Sequence, residues 1–350
     1  MPFKLNFLER QIFLERAWGP GPLLDMFAPL AFKAVAAAVK LGIFETLEAA
    51  GPLSINGLCE KTQADGRGML LLANALTGLG YLRRAGPSRF ANSAMTRAWM
   101  LKKSSSNFAE MAGYFEDAAD RWTYLDKSIR GGRPAQECDD WLGGHPGTWE
   151  RYHGGMYGIA RLLVDGIVSC ATIPPGAKRL IDIGGSHGLY SVRFCQRHPS
   201  LSATIFDWKQ ARASAERTIR EHGMEGRISF VEGDFFKDDL GAGYDVALLF
   251  NVIRIYPKDK AVSLLTKVRL ALGAGGRLFI ADQFCTKKAR GFSFVNESLI
   301  LLELYNSCSG ATHSSADVMA MLRNVGFAHA REIFLKRAPG ISMVTATREK

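Results

Sequence analysis

Apolar runs alternate with longer amphipathic stretches throughout the C-terminal half of the chain. Short apolar runs bounded by glycine or polar residues are typical of strands that are buried on both faces, and the stretches between them have the spacing of helices. Five such runs occur, at 180–183, 203–206, 227–231, 244–250 and 275–282, the last opening with a glycine turn. Their alternation with helices predicts a doubly wound α/β domain with a parallel sheet.

Two further apolar runs lie near the C-terminus. They cover 332–335 and 341–346, are joined through Pro339-Gly340, and predict a closing antiparallel hairpin. With the five parallel strands they make a seven-stranded sheet. A helix pattern over 294–308 and a second helix capped at Ser314-Ser315 lie between the fifth strand and this hairpin.

The N-terminal third has a different pattern, in which helices precede a hairpin-like wing. The helix patterns cover 31–47, 54–61 and 66–80, and the wing covers 81–90. This order predicts a winged-helix module, for which DNA binding is an obvious function. However, the recognition-helix position, Met69–Leu76, is apolar nearly all round, whereas a DNA reader needs an exposed polar face. We therefore predict a buried helix in a dimerisation module and no nucleic-acid partner.

Residues 104–172 are helical in pattern and rich in aromatic residues. Helix packing accounts for most of these rings. A turn at Ile173–Gly176 separates the segment from the sheet domain. The sequence thus predicts three parts: a winged-helix dimerisation domain over 1–103, a helical substrate-pocket segment over 104–172, and the α/β domain over 173–350.

Composition narrows the class of protein. At 350 residues and 47% hydrophobic content, the chain has ample apolar surface to bury. The net charge of +10 comes from dispersed lysines and arginines, which favours a solvated surface over a nucleic-acid site. The six scattered cysteines indicate reduced thiols and no metal site. No secretory signal is recognisable, and Asp25, Lys33 and Lys40 interrupt the best apolar stretch, so we expect a cytoplasmic protein without a membrane span.

The first strand of the sheet runs into a glycine-rich turn, Asp182-Ile-Gly-Gly-Ser-His-Gly188. Gly184, Gly185 and Gly188 remove side chains at a point where backbone approaches a ligand closely, and a helix begins at about Gly188. The D-x-G-G-x-x-G spacing is not the G-x-G-x-x-G of dinucleotide folds. It is typical of enzymes that use S-adenosylmethionine (SAM).

Acidic and aromatic residues end the following strands in the order that such a site requires. Asp207 ends the second strand, where a carboxylate accepts hydrogen bonds from both ribose hydroxyls, and Trp208 follows it. Asp234 and Phe235 follow the third strand, suited to the amino edge and the face of adenine. The predicted cofactor-binding residues are Asp182, Gly184, Gly185, Asp207, Trp208, Asp234, Phe235 and Phe250.

The chain resembles the SAM-dependent O-methyltransferase family that includes the plant caffeate-type and animal hydroxyindole-type enzymes. The resemblance rests on motifs spread over nearly the whole chain, at Ala34–Phe44, 76–82, 181–185, 206–207, 233–235 and 250–253. It implies a Rossmann-like class I methyltransferase domain, an N-terminal dimerisation domain, a homodimer and a small-molecule substrate. Phe250 departs from the plant enzymes, which often carry lysine at that position.

The same resemblance implies that the helical segment covers the substrate pocket. Within it, residues 151–157 resemble the family's Phe-Asn-x-Ala-Met stretch. The predicted substrate-binding residues are Tyr114, Trp122, His145, Tyr152, Met156, Tyr157, Arg254 and, on the predicted helix over 294–308, Asn306.

One motif departs from the family in its chemistry. Family members carry a His-Asp pair after the fourth strand, and the histidine takes the proton from a phenol as its oxygen attacks the methyl group. This chain has Arg254 and Ile255 there. An arginine, with a pKa above about 12, is no general base near pH 7. The resemblance therefore implies a methyltransferase, while the residues put base-assisted phenol methylation in doubt.

Two functions follow from this departure. A thioether needs no base, and Arg254 suits a bidentate carboxylate, which favours S-methylation of an anionic thioether acid such as 4-methylthio-2-hydroxybutyrate, on the route to dimethylsulfoniopropionate. The alternative is an O-methyltransferase with a relocated base among His145, His153 and His313. Arg254 would otherwise be a structural partner of a nearby acid. A third function that the sequence leaves open is a winged-helix regulator that senses SAM.

Overall fold

The computed structural model describes residues 6–16, 22–104, 106–284, 291–308, 310, 313–335 and 341–349. The chain divides into two compact units, Met1–Glu116 and Asp117–Lys350. The helices of 117–172 therefore belong to the same unit as the large sheet. The finer division at 103 and 172 stays a prediction.

The first unit is mainly helical. Its elements are α1 (Phe7–Arg10), a π-helical turn (Gln11–Glu15), α2 (Pro22–Lys40), α3 (Ile43–Ala50), β1 (Leu53–Ser54), α4 (Ile55–Thr62), α5 (Gly66–Gly78), β2 (Leu82–Arg84), β3 (Arg89–Asn92), α6 (Ala94–Trp99) and a 3-10 turn (Ala109–Met111), before α7 (Ala112–Trp122) crosses into the second unit. The helix predicted over 31–47 is two helices, because Gly42 takes a left-handed conformation (φ 66°) between them.

A three-stranded antiparallel sheet in the order β1-β3-β2 closes the first unit. Leu53 pairs with Phe90, and Leu82 pairs with Asn92. The hairpin of β2 and β3 corresponds to the predicted wing. Phe44, Phe90 and one face of α5 pack into a common apolar core.

Helix α5 corrects one expectation from the sequence. Met69, Ala73 and Leu76 are buried, but Leu70 and Leu71 are exposed in the single chain. One apolar face of the helix is therefore buried, and the opposite face is exposed although it is also apolar. Its outer face is not the polar face that a DNA-reading helix needs.

Helix α2 bears on the expected absence of a membrane span. By length and composition it is the one helix in the described ranges that could cross a membrane, with a mean hydropathy of 1.5 over an 18-residue window. Asp25 and Lys33 interrupt this stretch, and the expected absence of a membrane span stays a prediction. Leu23, Met26, Phe27 and Leu30 are exposed and share one helical face.

The second unit begins with helices and continues as an α/β fold. After α7 come α8 (Leu125–Gly131), α9 (Cys138–Gly144), α10 (Thr148–Cys170), β4 (Arg179–Ile183), α11 (Leu189–Arg197), β5 (Ser202–Asp207), a 3-10 turn (Lys209–Ala211), α12 (Arg212–Glu221), β6 (Ile228–Glu232), β7 (Tyr244–Leu248), a 3-10 turn (Ile253–Ile255), α13 (Lys258–Ala271), β8 (Leu272–Asp282), α14 (Phe292–Cys308), α15 (Ser315–Asn324), β9 (Phe327–Phe334) and β10 (Ser342–Arg348).

The seven strands lie in the order β6-β5-β4-β7-β8-β10-β9. The first five are parallel, and β10 pairs antiparallel with both β8 and β9. This confirms the predicted seven-stranded sheet, with five parallel strands and a closing antiparallel hairpin. Strand order reverses at β4, so the crevice for a ligand lies at the carboxyl ends of β4 and its neighbours.

Two apolar layers cover the sheet. Leu180 packs beneath α10 and α11, while Ile181 and Ile183 face the opposite layer, which contains α13 and α15. The alternation follows from the two-residue period of a strand. Ser314 caps α15 with a reciprocal bond to Asp317, as expected for a capping serine.

The glycine pair Gly275-Gly276 was predicted as a turn before the fifth strand, but it lies inside that strand. Strand β8 begins at Leu272, and Gly275 (φ 78°) lies within it, where the pairing with β7 shifts register. A Cβ on Gly276 would lie 2.8 Å from the carbonyl oxygen of Gly273. The pair therefore permits a bulge inside the strand. The predicted Pro339-Gly340 turn lies outside the described residues.

Candidate active site

The glycine loop after β4 lies at the carboxyl edge of the sheet and is tightly packed. Gly184 and Gly188 are left-handed, and so is Ser186 (φ 45°). A Cβ on Gly184 would meet Val252 Cγ2 at 2.8 Å, and one on Gly188 would meet Ile205 Cδ1 at 2.7 Å. The packing of the chain itself therefore requires glycine at positions 184 and 188, whether or not a ligand is bound. The predicted contacts of Gly184 and Gly185 with a cofactor stay predictions.

Asp207 ends β5 beside this loop. One carboxylate oxygen accepts a hydrogen bond from the Ser186 backbone N–H at 2.7 Å, and the other accepts one from the Trp208 N–H at 2.7 Å. Burial raises the pKa of Asp207 to about 6, against the lowering effect of these two donors. Each oxygen keeps a second lone pair for an outside donor, the geometry that a ribose diol needs.

Asp182 lies beneath the loop instead of at its surface. The residue is 1% exposed, and its carboxylate accepts a hydrogen bond from Ser191 Oγ at 2.8 Å. Burial raises its pKa to about 7. A Cβ on Gly185 would lie 2.7 Å from Asp182 Cγ. The position supports the loop, and the predicted contact of Asp182 with the cofactor stays a prediction.

Asp234 and Phe235 follow β6 on the same edge. Asp234 Oδ1 accepts a hydrogen bond from the Phe236 N–H at 2.9 Å, and its other oxygen pairs with Lys237 at 3.1 Å. The Phe235 ring lies edge-on to Tyr256, with centroids 6.0 Å apart. The Phe235 ring also approaches the Cβ position of Gly184 at 3.9 Å. An apolar ring and an acid thus flank the glycine loop.

Phe250 packs into the core beneath this edge. Its ring lies edge-on to Tyr190 at 4.9 Å and tilted to Phe194 at 6.4 Å. The predicted contact of Phe250 with the cofactor stays a prediction.

Helix α10 brings aromatic residues and a histidine against the glycine loop. His153 Nδ1 lies 2.8 Å from Ser186 Oγ, and the Trp149 ring stacks on His153 at 5.7 Å. Tyr152 meets the same histidine edge-on, and Tyr157 meets His187 of the loop. Met156, on the same helix, is partly buried. Of the predicted substrate residues, Tyr157 therefore contacts the glycine loop itself, and Tyr152 contacts His153, which is bonded to the loop.

The remaining predicted substrate residues are spread over other helices. Asn306 on α14 is fully engaged, accepting from Ser128 Oγ at 2.7 Å and donating to the Arg121 carbonyl at 3.3 Å. The Trp122 indole N–H donates to Glu303 on the same helix. His145 is exposed and stacks on Trp141. Tyr114 belongs to the first unit, where it packs against Phe115.

Arg254 lies on the 3-10 turn after β7 and faces a buried acid. Its Nε is 3.3 Å from Asp282 Oδ1, and its backbone N–H donates to Asp282 Oδ2 at 3.2 Å. The Asp282 side chain is 0% exposed and that of Arg254 is 19% exposed. The structure thus contains the ion pair that the sequence left open as an alternative. The substrate role of Arg254 stays a prediction.

These residues suit SAM by their chemistry. Asp207 offers acceptors for a diol, Asp234 offers an acceptor for an amino group, and Phe235 offers an apolar ring, all on one edge of the sheet. Gly184 leaves no Cβ between Phe235 and Val252. In the described ranges, no cluster of three or more His, Cys, Asp or Glu could hold a metal ion.

The family models decide the identity of the domains. The model of the O-methyltransferase domain matches residues 144–328, just over half of the chain, and the model of the O-methyltransferase dimerisation domain matches 23–102. The chain belongs to the O-methyltransferase family. Membership confirms the predicted class of enzyme, a methyltransferase of small molecules, its predicted SAM cofactor, and an N-terminal dimerisation domain.

Individual relatives agree with this assignment. The methyltransferase is 25% identical over 320 residues to a 3-hydroxy-5-methyl-1-naphthoate 3-O-methyltransferase of Streptomyces sahachiroi, covering 89% of each chain. It is 26% identical to a 3-amino-4-hydroxybenzoate 4-O-methyltransferase of Streptomyces cremeus, over 73% of this chain and 71% of the relative. The solved structure of human N-acetylserotonin methyltransferase in complex with SAM shares its fold, with a TM-score of 0.82 at 21% identity over 96% and 99% of the two chains.

Sequence reasoning missed three residues that the structure brings into the site. Asp282 ends β8 as Asp207 ends β5, so the strand-end rule that found Asp207 would also have found it. His187 lies inside the glycine motif itself. Glu303 carried no local signal, because its partners Arg121 and Trp122 lie on a helix far away in sequence.

Proposed function

We propose that this methyltransferase transfers the methyl group of SAM to a hydroxyl group of a small aromatic substrate. The ordered strand-end site around Asp207 supports SAM binding at the carboxyl edge of the sheet. The names of the relatives favour oxygen as the acceptor, and two of them are named for aromatic acids that carry a hydroxyl. This is the alternative that the sequence left open, and those names support it better than S-methylation.

In this proposal, the chain holds and orients the cofactor, which supplies a methyl group on a positively charged sulfur. Asp207 accepts hydrogen bonds from the ribose, while Asp234 and Phe235 hold the adenine. The Ser186 N–H fixes the Asp207 carboxylate, and His153 in turn contacts the Ser186 hydroxyl. Helix α10 thereby stabilises the loop from the side that Tyr152, Met156 and Tyr157 occupy.

The acceptor would enter between α10, α14 and the turn that carries Arg254. Tyr152 and Tyr157 offer aromatic walls near the loop, and a cation next to such a ring gains about 0.5–2 kcal/mol. That gain favours a cationic donor. Trp122 and Asn306 are tied to the helices by hydrogen bonds, so in this proposal they shape the pocket.

The three histidines proposed as a relocated base differ in their surroundings. Burial lowers the pKa of His153 to about 4, so it is a weak base. His145 stacks on Trp141 at an exposed helix end. His313 Nε2 lies 3.0 Å from the Tyr256 carbonyl oxygen, which leaves only its other ring nitrogen.

A methyl-transfer assay with radiolabelled SAM tests the proposal directly. Purified protein is incubated with hydroxynaphthoates, aminohydroxybenzoates and 4-methylthio-2-hydroxybutyrate. We expect label in the aromatic products and none in the thioether acid. Label only in the thioether acid would overturn the proposal in favour of S-methylation.

Matched aspartate variants test the cofactor site by calorimetry. Asp207→Asn should weaken SAM binding by about 1.5–3 kcal/mol, or roughly tenfold to a hundredfold, because charge-assisted hydrogen bonds to the ribose are lost. Asp245→Asn is the control, since Asp245 also accepts two backbone N–H groups, from Lys178 and Arg179, but at the opposite end of the parallel strands. Equal affinities in the two variants would remove Asp207 from the site.

A further inference from the structure

Arg254 lies against Asp282 with one side of its guanidinium. The Arg254 backbone N–H donates to Asp282 Oδ2 at 3.2 Å, and Nε lies 3.3 Å from Asp282 Oδ1 in an ion pair without hydrogen-bond geometry. The terminal nitrogens Nη1 and Nη2 have no hydrogen-bond partner among the described residues, and the side chain reaches the surface of the site. A guanidinium whose Nε side lies against an acid directs the donors of its Nη edge away from that acid.

The turn that carries Arg254 lies against the cofactor side of the site and against α14. Val252 touches the Cβ position of Gly184, and Tyr256 packs on Phe235. On the other side, a Cβ on Gly310 would lie 2.8 Å from the Arg254 carbonyl oxygen. Arg254 therefore lies between the glycine loop and the end of α14, where an acceptor must approach the methyl donor.

Several ionisable groups surround Arg254, and among the described residues none forms a hydrogen bond with its Nη atoms. Burial raises the pKa of Cys308, on α14, to about 11 and raises that of Tyr190, on α11, above its usual value. Asp282, on β8, is fully buried and accepts from Arg254 and from the Gln283 N–H. His313, which precedes α15, lies against the Tyr256 carbonyl. Glu137, which precedes α9, is exposed, and its charge contributes to the raised pKa of Cys308.

The acceptor would then meet the positive sulfonium of SAM on one side and the Nη donors of Arg254 on the other, while Asp282 pairs with the Nε side of the guanidinium. An oxyanion between them is attracted by the sulfonium and accepts charge-assisted hydrogen bonds from the Nη donors. We propose, on the basis of the function proposed above, that the methyl acceptor is an acidic hydroxyl, a phenol or enol that binds as its oxyanion, and that the Nη edge of Arg254 binds this oxyanion. Arg254 is then a catalytic residue that stabilises charge and moves no proton.

The transfer balances without a protein base. The hydroxyl loses its proton to water before transfer, and its oxyanion attacks the methyl carbon. The C–O bond forms as the C–S bond breaks, and the electron pair of that bond stays on sulfur, which becomes a neutral thioether. The negative charge of the oxyanion and the positive charge of the sulfonium are both lost in the transfer. Which acceptors react therefore depends on how readily each one binds as its oxyanion.

The pH dependence of kcat/KM over a series of substituted phenols tests this inference. With a protein base, the rising limb has one midpoint for every acceptor. If Arg254 binds an oxyanion, the midpoint of the rising limb is set by the ionisation of each acceptor. It therefore lies at lower pH for more acidic phenols. Phenols of ordinary acidity, with a pKa near about 10, should react slowly at pH 7.

A binding measurement gives a readout that does not depend on turnover. Nitrophenols absorb differently as phenol and as phenolate, so their ionisation can be titrated on protein saturated with S-adenosylhomocysteine. We expect binding to wild-type protein to increase the ionisation constant at least tenfold over that in buffer. Arg254→Gln should abolish this increase, and Arg254→Lys should retain part of it, since the charge remains but the planar fork is lost.

Two further variants distinguish a folding defect from a catalytic one. The double variant Arg254→Gln with Asp282→Asn removes both charges of the buried pair. Replacing both partners of such a pair destabilises a protein less than removing one of them. We therefore expect the double variant to bind SAM with an affinity within about twofold of wild type. Arg254→His should place a fixed midpoint near about pH 6.5 for all phenols, the range of a histidine base.

The outcomes separate the inference from the function on which it rests. If wild-type protein methylates phenols with one midpoint for every acceptor, it is an O-methyltransferase with a protein base, and the inference about Arg254 is wrong. An unchanged nitrophenol ionisation constant on wild-type protein would also overturn it. If only thioethers accept the methyl group, the proposed function itself fails.

Discussion

At the scale of single residues, the Asp207 carboxylate makes SAM binding dependent on pH. Burial raises its pKa to about 6, and only the ionised form accepts hydrogen bonds from both ribose hydroxyls. Because it is an acid, it is ionised above this pH and protonated below it. We expect the dissociation constant for SAM, measured by calorimetry, to be constant above about pH 7 and to rise roughly tenfold per unit below the midpoint.

Two variants check this assignment. Asp207→Asn should bind SAM weakly at all pH values and lack the step near pH 6. Asp182→Asn should keep that step, since the Asp182 carboxylate is bonded to Ser191 beneath the loop. A step that persists in Asp207→Asn would assign the titration to another group.

At the scale of elements, a polar network joins α14 to α7 and α8. Arg121 is 1% exposed, its Nη2 donates to Glu303 Oε1 at 2.8 Å, and the Tyr305 hydroxyl donates to the Ser128 carbonyl at 3.1 Å. Removing one partner of a buried ion pair costs about 3–5 kcal/mol. We expect Glu303→Leu to lower the free energy of unfolding by roughly that amount, as measured by urea denaturation.

The exposed pair of Arg193 and Asp165 provides the control, at 3.7 Å between Nε and Oδ1. Asp165→Asn should change the free energy of unfolding by less than about 1 kcal/mol, because a solvated ion pair contributes little. A cost for Glu303→Leu as small as that of the control would show that the network does not hold α14.

At the scale of the whole molecule, the exposed apolar stripe of α2 predicts a homodimer. Met26 is 71% exposed and Leu30 is 63% exposed, within the dimerisation domain that the family model identifies. Such a stripe on one helical face is a surface that a second copy would bury. We expect light scattering to show a dimer at micromolar concentration and Met26→Glu with Leu30→Glu to shift it toward monomer.

Leu270 on α13 is also exposed, but it lies outside the dimerisation domain. Leu270→Glu should therefore leave the dimer intact, and circular dichroism should show that the α2 variant keeps its helical content. A wild-type monomer at micromolar concentration, or an equal effect of the two changes, would contradict the assignment of α2 to the dimer interface.

The sequence alone was sufficient for features that depend on neighbours in the chain. The apolar runs predicted all seven strands of the large sheet. The five parallel strands were recognisable because a buried parallel strand needs a continuous apolar run. The strand-end rule brought Gly184, Asp207 and Asp234 to one edge, since parallel strands end on the same side. Ser314 was predicted as a cap because its partner, Asp317, is three residues away.

Only the tertiary structure decided features whose partners are distant in sequence. Arg254 and Asp282 are separated by 28 positions, and Arg121 and Glu303 by 182, so no local pattern predicted that either pair would meet. Gly275 lies in a bulge instead of a turn because the register of β8 against β7 requires it. Phe250 packs on Tyr190 because the helix after the glycine loop lies over its strand. Side-chain partners of this kind depend on how the layers pack, which the spacing of apolar residues does not specify.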